Sequence, residues 1–262
     1  MSLPGMSVFR TTTVADSPLF VHLDASVEMP SCRWLHRFAI ADGAAECRFG
    51  VDVDGVYYFS FGDWGQMRFD PCDDHTVMLS RIESPSLLLF ALWTAYAMLA
   101  LPRRATPIHS SVVVHGGRAV LCLGESGTGK STHTSLWIKH IDDCFLLNDD
   151  SPILRMEGDE VVAYGSPWSG KTPCFKQQRV PVAAFLRLEQ RPENTIRRLG
   201  TIEAFTAVHP SCPPALAHEE RCVDQMVPFI GQVIGHVPVY RLGCLPDADA
   251  ARLSCSTIFG QS

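Results

Sequence analysis

Residues 124–131 carry the side chains best suited to chemistry in this chain. Glycines at positions 124 and 129, followed by Lys130 and Ser131, fit the pattern G-x-x-x-x-G-K-[ST] at every fixed position. In this pattern small residues let backbone N–H groups turn inward around a phosphate chain. The lysine places a cation on the outer phosphates, and the hydroxyl can ligate Mg²⁺. The sequence therefore predicts a nucleotide site formed by Gly124, Glu125, Ser126, Gly127, Thr128, Gly129, Lys130, Ser131 and Thr132.

A pair of carboxylates follows this run. Residues 144–147 form a short apolar strand that ends in Asn148-Asp149-Asp150. Acidic residues at the end of a buried strand shortly after a phosphate loop are expected to hold Mg²⁺. We predict that Asp149, together with Ser131, ligates the metal. The second carboxylate would accept a proton from an attacking hydroxyl. Which aspartate is the base stays open, and a polar turn with a helix-capping role is the alternative.

Two further stretches offer groups that could act at the same place. His109 precedes the strand 112–114, so a compact fold can bring it near the phosphates; alternatively it is a hydrogen-bonded residue at a strand end. Residues 165–173 form a Gly- and Pro-rich loop with useful polar groups. Its candidate substrate-contacting residues are Trp168, Ser169, Gly170 and Lys171. Lys171 would reach a phosphate or a substrate carboxylate, or it is an ordinary surface lysine.

The surrounding elements must position these groups. The apolar run 118–123 predicts a buried strand before the loop, and residues 132–139 predict a helix after it. This order points the positive end of the helix at the bound anion. Beyond the aspartates, predicted strands outnumber helices, with a helical stretch at 213–234 broken near Pro228. We therefore predict an α/β fold with a mixed sheet.

The first part of the chain has a different character. Strand-forming runs at 47–53 and 56–61 flank Asp54-Gly55, which predicts a hairpin. The uncharged run 87–101 predicts a buried helix, because it is shorter than the ~20 residues that a bilayer needs. We divide the chain into a β-rich region, 1–104, ending in this helix, and a second domain, 105–262. No catalytic constellation is visible in the first region.

Composition limits the partners and the compartment. The 262 residues carry a net charge of -6, which argues against a large nucleic-acid footprint. The 10 cysteines are dispersed, with no C-x-x-C pair, as in reduced cytoplasmic proteins. Residues 1–10 lack a basic region followed by an apolar run, so no secretory leader is expected. We expect a cytoplasmic protein that binds neither nucleic acid nor membrane.

At His109, the run 124–131 and Asp149-Asp150, the sequence resembles the HPr serine kinase/phosphorylase family, which shares a nucleotide fold with phosphoenolpyruvate carboxykinases. His109 lies fifteen residues before Gly124, which agrees with the spacing in that family. The similarity is closer to bacterial proteins described as HPr kinase-related or carboxykinase-like. These carry runs similar to 126–133, 148–150, 164–171 and 237–244. The resemblance covers about 105–258, and it is loose over 1–104.

The resemblance implies a mixed-sheet P-loop core and a catalytic set of Asp149, Asp150, His109 and Lys130. It implies ATP and Mg²⁺ as cofactors, with His109 near the transferred phosphate and the 165–171 loop beside the cleft. Some relatives phosphorylate a peptide serine in ribosomal-peptide biosynthesis, and the family's HPr enzymes are hexamers. We therefore expect a serine kinase that acts on a peptide or protein. A homo-oligomeric assembly is also among the states that the resemblance implies.

One departure from the family and three alternatives accompany this expectation. The acidic-Arg-Gly-Leu-Gly motif of the bifunctional enzymes is missing from the sequence, and residues 165–171 stand at about its place. A small-metabolite kinase or a carboxykinase-like enzyme would need a cluster of arginines for a small dianion. Arg155, Arg179 and Arg187 are the candidates for that cluster. A nucleotide-binding regulator without turnover is the third alternative, with 1–104 as its docking module.

Overall fold

The computed structural model describes residues 3, 5–12, 18–40, 45–170 and 172–260. They form two compact units within a mixed α/β fold. The first unit comprises the described residues of Met1–Leu3, Arg10–Arg104 and Pro214–Met226. The second comprises those of Pro4–Phe9, Ala105–Pro213 and Val227–Ser262. The main change of unit falls between Arg104 and Ala105, and the segment Pro214–Met226 groups with the first unit.

The first unit is built on one sheet, which has six strands among the described residues. All neighbours in it are antiparallel except β1 and β6, which are parallel. The predicted hairpin is present: Asp52 Oδ1 accepts hydrogen bonds from the backbone N–H groups of Asp54 and Val56 in the turn. In spatial order the strands are β1 (Phe20–His22), β6 (Thr76–Leu79), β5 (Gln66–Phe69), β4 (Tyr57–Phe61), β3 (Ala45–Val51) and β2 (Arg33–Ile40).

Helix α1 (Pro85–Ala100) follows this sheet and packs on β5 and β6. It begins two residues before the predicted run 87–101, because Ser84 accepts a hydrogen bond from Leu87 N and Pro85 occupies the first turn. With the short 3₁₀ turn after it, the segment Pro85–Arg103 is long and apolar enough to span a bilayer by length and composition. Half of that window is buried inside the structure, and core helices of soluble proteins pass the same test.

The second unit contains a mixed sheet of nine strands among the described residues. Strand β13 organises it, because its first residues pair with β12 and its later ones lie between β9 and β15. β13 is buried along most of its length, as expected for a central strand between parallel neighbours. The strands are β7 (Ala105–Pro107), β8 (Ser110–His115), β9 (Arg118–Leu123), β10 (Cys144–Asp150), β11 (Ile153–Glu157), β12 (Glu160–Tyr164), β13 (Arg179–Gln190), β14 (Thr195–Arg198) and β15 (Val239–Cys244).

Strand direction brings the chemistry-bearing residues to one edge of this sheet. β9, β13 and β15 are mutually parallel, and β10 runs with them because both β9 and β10 are antiparallel to β8. The carboxyl ends of these four strands therefore share an edge. Residues 124–131 leave β9 there, and Asp149-Asp150 are the last two residues of β10. The start of β8 lies at the same edge, since Ser110 is in register with both Leu123 and Asp150.

Helices α2 (Lys130–His140) and α5 (Ala248–Phe259) pack against each other beside this sheet. Trp137 of α2 is fully buried in the core between them and the strands. The remaining helices are α3 (Thr201–Val208) and α4 (Glu220–His236). The predicted break near Pro228 is wrong, because α4 continues through this proline. The interruption lies earlier, between a 3₁₀ turn, Pro214–His218, and the start of α4.

Candidate active site

The loop 124–131 turns sharply from β9 into α2. Gly127 and Gly129 have φ values of 83° and 101°, which side chains with a Cβ rarely adopt, so glycine is required at both positions. Gly129 is the N-cap of α2, and no side chain caps this end among the described residues. The first turn also contains no acidic residue. The N–H groups and the positive dipole end at the start of α2 therefore remain available to an anion.

Lys130 lies at the centre of this turn. Its Nζ donates to the carbonyl oxygens of Gly124 and Glu125 at 2.8 and 3.1 Å and lies 3.0 Å from Nε2 of His109. Burial lowers the pKa of the Lys130 ammonium and Arg187 adds to this, while Asp150, Glu125 and Asp149 act in the opposite direction. The structure thus places a lysine cation between the loop and His109.

Ser131 and Asp149 are joined directly. Ser131 Oγ donates a hydrogen bond of 2.8 Å to Asp149 Oδ1. Asp149 is 4% exposed, and its other carboxylate oxygen, Oδ2, is buried without a hydrogen-bond partner among the described residues. An unpaired buried carboxylate oxygen is costly unless something occupies it. This oxygen and the Ser131 hydroxyl are the kind of oxygen ligands that Mg²⁺ takes.

Asp150 has different surroundings. Its side chain is 38% exposed, and its Oδ1 lies 3.5 Å from Nδ1 of His109. Its Oδ2 accepts a hydrogen bond of 2.9 Å from Ser151 Oγ. Burial acts to raise the pKa of the Asp150 carboxyl, but His109, Ser151 and Lys130 together outweigh burial and leave that pKa below its usual value. Asp150 is therefore a carboxylate held in its charged form at the cleft surface.

A buried asparagine that the sequence did not single out as a site residue fixes the backbone that follows Asp149. Asn148 is fully buried, and its Oδ1 accepts hydrogen bonds from the backbone N–H groups of Asp150 and Ser151 at 3.1 and 3.0 Å. Its Nδ2 donates to Ser166 Oγ and to Trp168 O at 3.2 and 3.1 Å. Asn148 thereby fixes the end of β10 and ties it to the loop after β12.

That loop lies against the aspartates through its backbone. Gly170 N donates a hydrogen bond of 2.7 Å to Asp149 O, and Ser169 forms an isolated bridge with Asp150. A Cβ on Gly170 would lie 2.6 Å from Asp149 O, so the approach requires glycine. The Ser169 hydroxyl serves the loop itself, donating to Thr172 O and accepting from Cys174 N. Lys171, predicted to reach the substrate, lies outside the described residues.

These groups converge on one cleft of about 330 Å³. Gly170, one of the predicted loop residues, lines this cleft. The described residues that line the cleft do not include Trp168 or Ser169. Gly124 and Glu125 contribute carbonyl oxygens to Lys130, and Thr128 donates to Glu125 O. The predicted site residues that line the cleft are His109, Ser126, Gly127, Gly129, Lys130, Ser131, Thr132, Asp149, Asp150 and Gly170.

The three candidate arginines are not brought together. Arg155 is exposed on β11, and Arg179 pairs with Glu157 at 2.6 Å. Arg187 alone of the three lies beside the loop, where it pairs with Glu125 at 3.0 Å. Its position on β13, in register with Leu123 at the end of β9, could not be read from the local sequence. A cluster of these arginines for a small dianion is therefore not formed.

Comparisons with known proteins add little to this geometry. No protein-family model matches the chain, and no curated protein matches it by sequence. Among solved structures, the chain is similar to the HPr(Ser) kinase/phosphatase from Coxiella burnetii. The match has 14% identity and a TM-score of 0.33, and it covers 56% of this chain and 90% of the other. At this score the likeness carries no argument about the site, which stands on its own contacts.

Proposed function

We propose that this protein is an ATP- and Mg²⁺-dependent phosphotransferase that phosphorylates a hydroxyl. The observation that carries the proposal is the pair of adjacent carboxylates at the end of β10. Asp149 is buried and bonded to Ser131, whereas Asp150 is only partly buried and lies beside His109. Two neighbouring carboxylates with different surroundings suit two different roles, one towards a metal and one towards a proton.

The loop and the start of α2 would hold the phosphates of the nucleotide. The backbone N–H groups in this turn and the positive end of the helix dipole would both face these phosphates. Lys130 would contact the outer phosphates and offset the charge that develops on them during transfer. Arg187 keeps Glu125 paired at the rim of the loop, which limits its repulsion of the phosphates.

Asp149 and Ser131 fit a magnesium ion that is bound together with the nucleotide. The fit rests on Asp149 Oδ2, which is buried and without a hydrogen-bond partner among the described residues. Among these residues no group of three or more His, Cys, Asp or Glu could hold a metal by itself. Mg²⁺ at nucleotide sites needs only one or two carboxylates besides the phosphates. The ion, when bound, would neutralise charge on the phosphate oxygens.

Asp150 is the residue that we assign as the proton acceptor. In the proposed reaction the acceptor oxygen forms a bond to the terminal phosphorus, the bond from that phosphorus to the leaving diphosphate breaks, and the hydroxyl proton goes to Asp150. His109 would orient the Asp150 carboxylate, because its Nδ1 faces Oδ1 while its Nε2 faces Lys130. A contact of His109 with the transferred phosphate also fits its place on the cleft wall.

The acceptor class rests on the sequence resemblance and not on the cleft. We propose a serine of a peptide or protein, such as a ribosomal-peptide precursor, in the cytoplasm. Because Arg155, Arg179 and Arg187 do not form a cluster, they give no support to a small dianionic metabolite as the acceptor. A nucleotide-binding regulator without turnover would not need Asp150 beside the cleft.

The test is transfer from γ-labelled ATP, with Mg²⁺, to a panel of serine-bearing peptides encoded by neighbouring genes. We expect label on a peptide serine with the wild type and none with Lys130→Ala. Lys139→Ala is the matched control, because Lys139 is an exposed lysine at the other end of α2. Full activity in Lys130→Ala would contradict the mechanism, and nucleotide binding without transfer to any peptide would contradict the proposed acceptor.

A further inference from the structure

Asp150 and three arginines stand in one row across the second sheet. Residues in register on neighbouring strands lie side by side, with the strands about 4.8 Å apart. From Asp150 at the end of β10, the register continues through β8, β9, β13 and β15 to the edge strand β14. The members of this register row are Asp150, Ser110, Leu123, Arg187, Arg241 and Arg197.

The register row points away from α2. Side chains alternate between the two faces along a strand, and residues in register share a face. Ser111 faces α2, since its Oγ lies 2.9 Å from Thr134 Oγ1. Asp149, which is in register with Ser111, faces the same way and accepts a hydrogen bond from Ser131. Asp150 and the arginines therefore project from the opposite face, where one acceptor can contact both.

The three adjacent arginines repel one another. Like charges directly opposite each other on paired strands destabilise a sheet. Arg197 on β14 lies opposite Arg241 on β15, and Arg187 on β13 lies on the other side of Arg241. Glu125 offsets the charge of Arg187 at the rim of the phosphate loop. An anionic group bound at Arg241 would relieve the repulsion at the centre of the three.

The neighbouring glutamates leave Arg241 with the weakest pairing. Glu203 holds Arg197 through two hydrogen bonds of 2.6 and 2.9 Å. Glu189 serves both Arg191, at 3.0 Å, and Arg241, at 3.3 Å. The contact with Arg241 lacks the alignment of a hydrogen bond, so Arg241 Nε is buried without a hydrogen-bond partner among the described residues. Exposed ion pairs are weak, so a partner's carboxylate can compete with Glu189 for Arg241.

A cavity of about 480 Å³ lies over this part of the row. Gly243 forms its floor, where an added Cβ would lie 2.8 Å from Arg191 Cγ. The cavity wall contains three arginines and two glutamates, so its cations exceed its carboxylates. These charged residues are Arg191, Arg197, Arg241, Glu189 and Glu193.

We propose that this cavity, with Arg241 at its centre, binds an acidic side chain of the peptide or protein acceptor whose serine is phosphorylated at Asp150. The inference rests on the proposed function and adds to it a sequence requirement for the acceptor. A guanidinium group binds a carboxylate through two parallel hydrogen bonds, which gives this contact both strength and direction.

The register row also sets the distance between the two acceptor residues. Arg241 lies four strand spacings from Asp150, which is roughly 19 Å. An extended chain covers about 3.3 Å per residue, so the acidic residue would stand about six residues from the serine. Ser110 and Leu123 are buried, so the segment between would pass along the outer edge of the sheet.

The experiment measures binding of dye-labelled peptides by fluorescence anisotropy and then transfer from γ-labelled ATP with Mg²⁺. Each peptide has one serine in a background of glycine and glutamine. Two adjacent glutamates stand about six residues before or after the serine, and matched peptides carry glutamine there. We expect the wild type to bind one glutamate peptide at least about tenfold more tightly than its glutamine counterpart, with a similar difference in KM and little change in kcat.

The variant Arg241→Gln should remove this preference. Arg155→Gln is the matched control, because Arg155 is an exposed arginine on β11, and it should keep the preference. Should Arg241→Gln not fold in a thermal melt, Arg197→Gln takes its place, since the Arg197 side chain is half exposed on the edge strand. It should weaken binding of the glutamate peptide by at least about threefold.

The outcomes separate this inference from the proposed function. Equal binding of the glutamate and glutamine peptides by the wild type, or a preference kept in the arginine variants, would overturn the acidic subsite and leave the kinase proposal standing. At least about tenfold tighter binding of a phosphoserine at the same position would overturn the assignment to a carboxylate. Binding that depends on Arg241, without transfer to any peptide, would overturn the proposed function instead.

Discussion

Ser131 Oγ donates a hydrogen bond of 2.8 Å to Asp149 Oδ1 and so joins the first turn of α2 to the end of β10. The two residues are 18 positions apart in the chain. They meet because β10 runs parallel to β9 in the sheet, with β8 between them. The contact leaves Asp149 Oδ2 buried and unpaired among the described residues, at the place where a nucleotide-bound cation would sit.

The variant Asp149→Asn tests this assignment. We expect it to lower Mg²⁺-dependent ATP affinity by at least about tenfold, because an amide oxygen is a weaker ligand than a carboxylate. Tripolyphosphate binding without Mg²⁺ should be retained. The midpoint of thermal unfolding should equal or exceed that of the wild type, since the change replaces a buried charged group with a neutral amide, which is less costly to bury. Calorimetry with and without Mg²⁺ measures the two affinities, and a thermal melt measures the unfolding midpoint. Unchanged Mg²⁺ dependence of ATP binding would exclude Asp149 as a ligand.

Asp150 gives a prediction about rate and pH. Asp150→Asn should lower kcat by roughly 100- to 10,000-fold, the usual contribution of a general base, with nucleotide affinity nearly unchanged. A base acts when deprotonated, so activity is full above its pKa and falls as the pH drops through it. Because His109, Ser151 and Lys130 hold the pKa of Asp150 below its usual value of 3.8, the acid limb of the wild-type kcat/KM profile should lie below that pH.

Removal of His109 should move this limb. In His109→Ala, the Asp150 carboxyl loses the partner that most strongly opposes the effect of burial on its pKa. The pKa of Asp150 therefore rises, and the acid limb shifts to higher pH. His140→Ala, at the far end of α2, is the control and should leave the profile in place. Asp150 also stabilises the fold above its unfolded pKa, and this contribution is lost as the pH falls through the lower folded pKa. Circular dichroism at each pH therefore accompanies the assay, and an unmoved limb would contradict the role of His109.

The local part of this arrangement could be predicted from the sequence. The strand before residue 124, the helix after it and the short strand before Asp149 are all present, because each is specified by neighbouring residues. The hairpin around Gly55 is present for the same reason. Such elements depend on periodicity and turn chemistry within about ten residues.

The non-local part could not be predicted. The position of Arg187 beside Glu125 and of Gln190 beside Gly127 depends on β13 lying between β9 and β15, and local patterns do not specify strand order. The sequence analysis assigned no role to Asn148, because its local sequence does not show that the buried amide forms hydrogen bonds to two segments. Pro228 did not break its helix, in which the neighbouring Met226, Phe229 and Ile230 are buried. Burial of neighbouring residues can override a local preference.

Gly170 tests whether the backbone contact between its loop and β10 matters for activity. Gly170→Ala would place a Cβ 2.6 Å from Asp149 O, so the loop or the end of β10 must shift. Displacement of the reacting groups by about 1 Å can cost on the order of 100-fold in rate. We expect kcat to fall by roughly this factor, with little change in tripolyphosphate affinity, because the loop 124–131 is not displaced.

The matched control for this change is Gly231→Ala. Gly231 lies inside α4, where an added Cβ meets open space. Replacement of glycine by alanine within a helix should stabilise the protein by about 0.5–1 kcal/mol and leave kcat unchanged. Steady-state kinetics and urea unfolding of both variants separate the two effects. Wild-type kcat in Gly170→Ala would show that Asp149 and Asp150 keep their positions without the Gly170 contact, which would contradict this prediction.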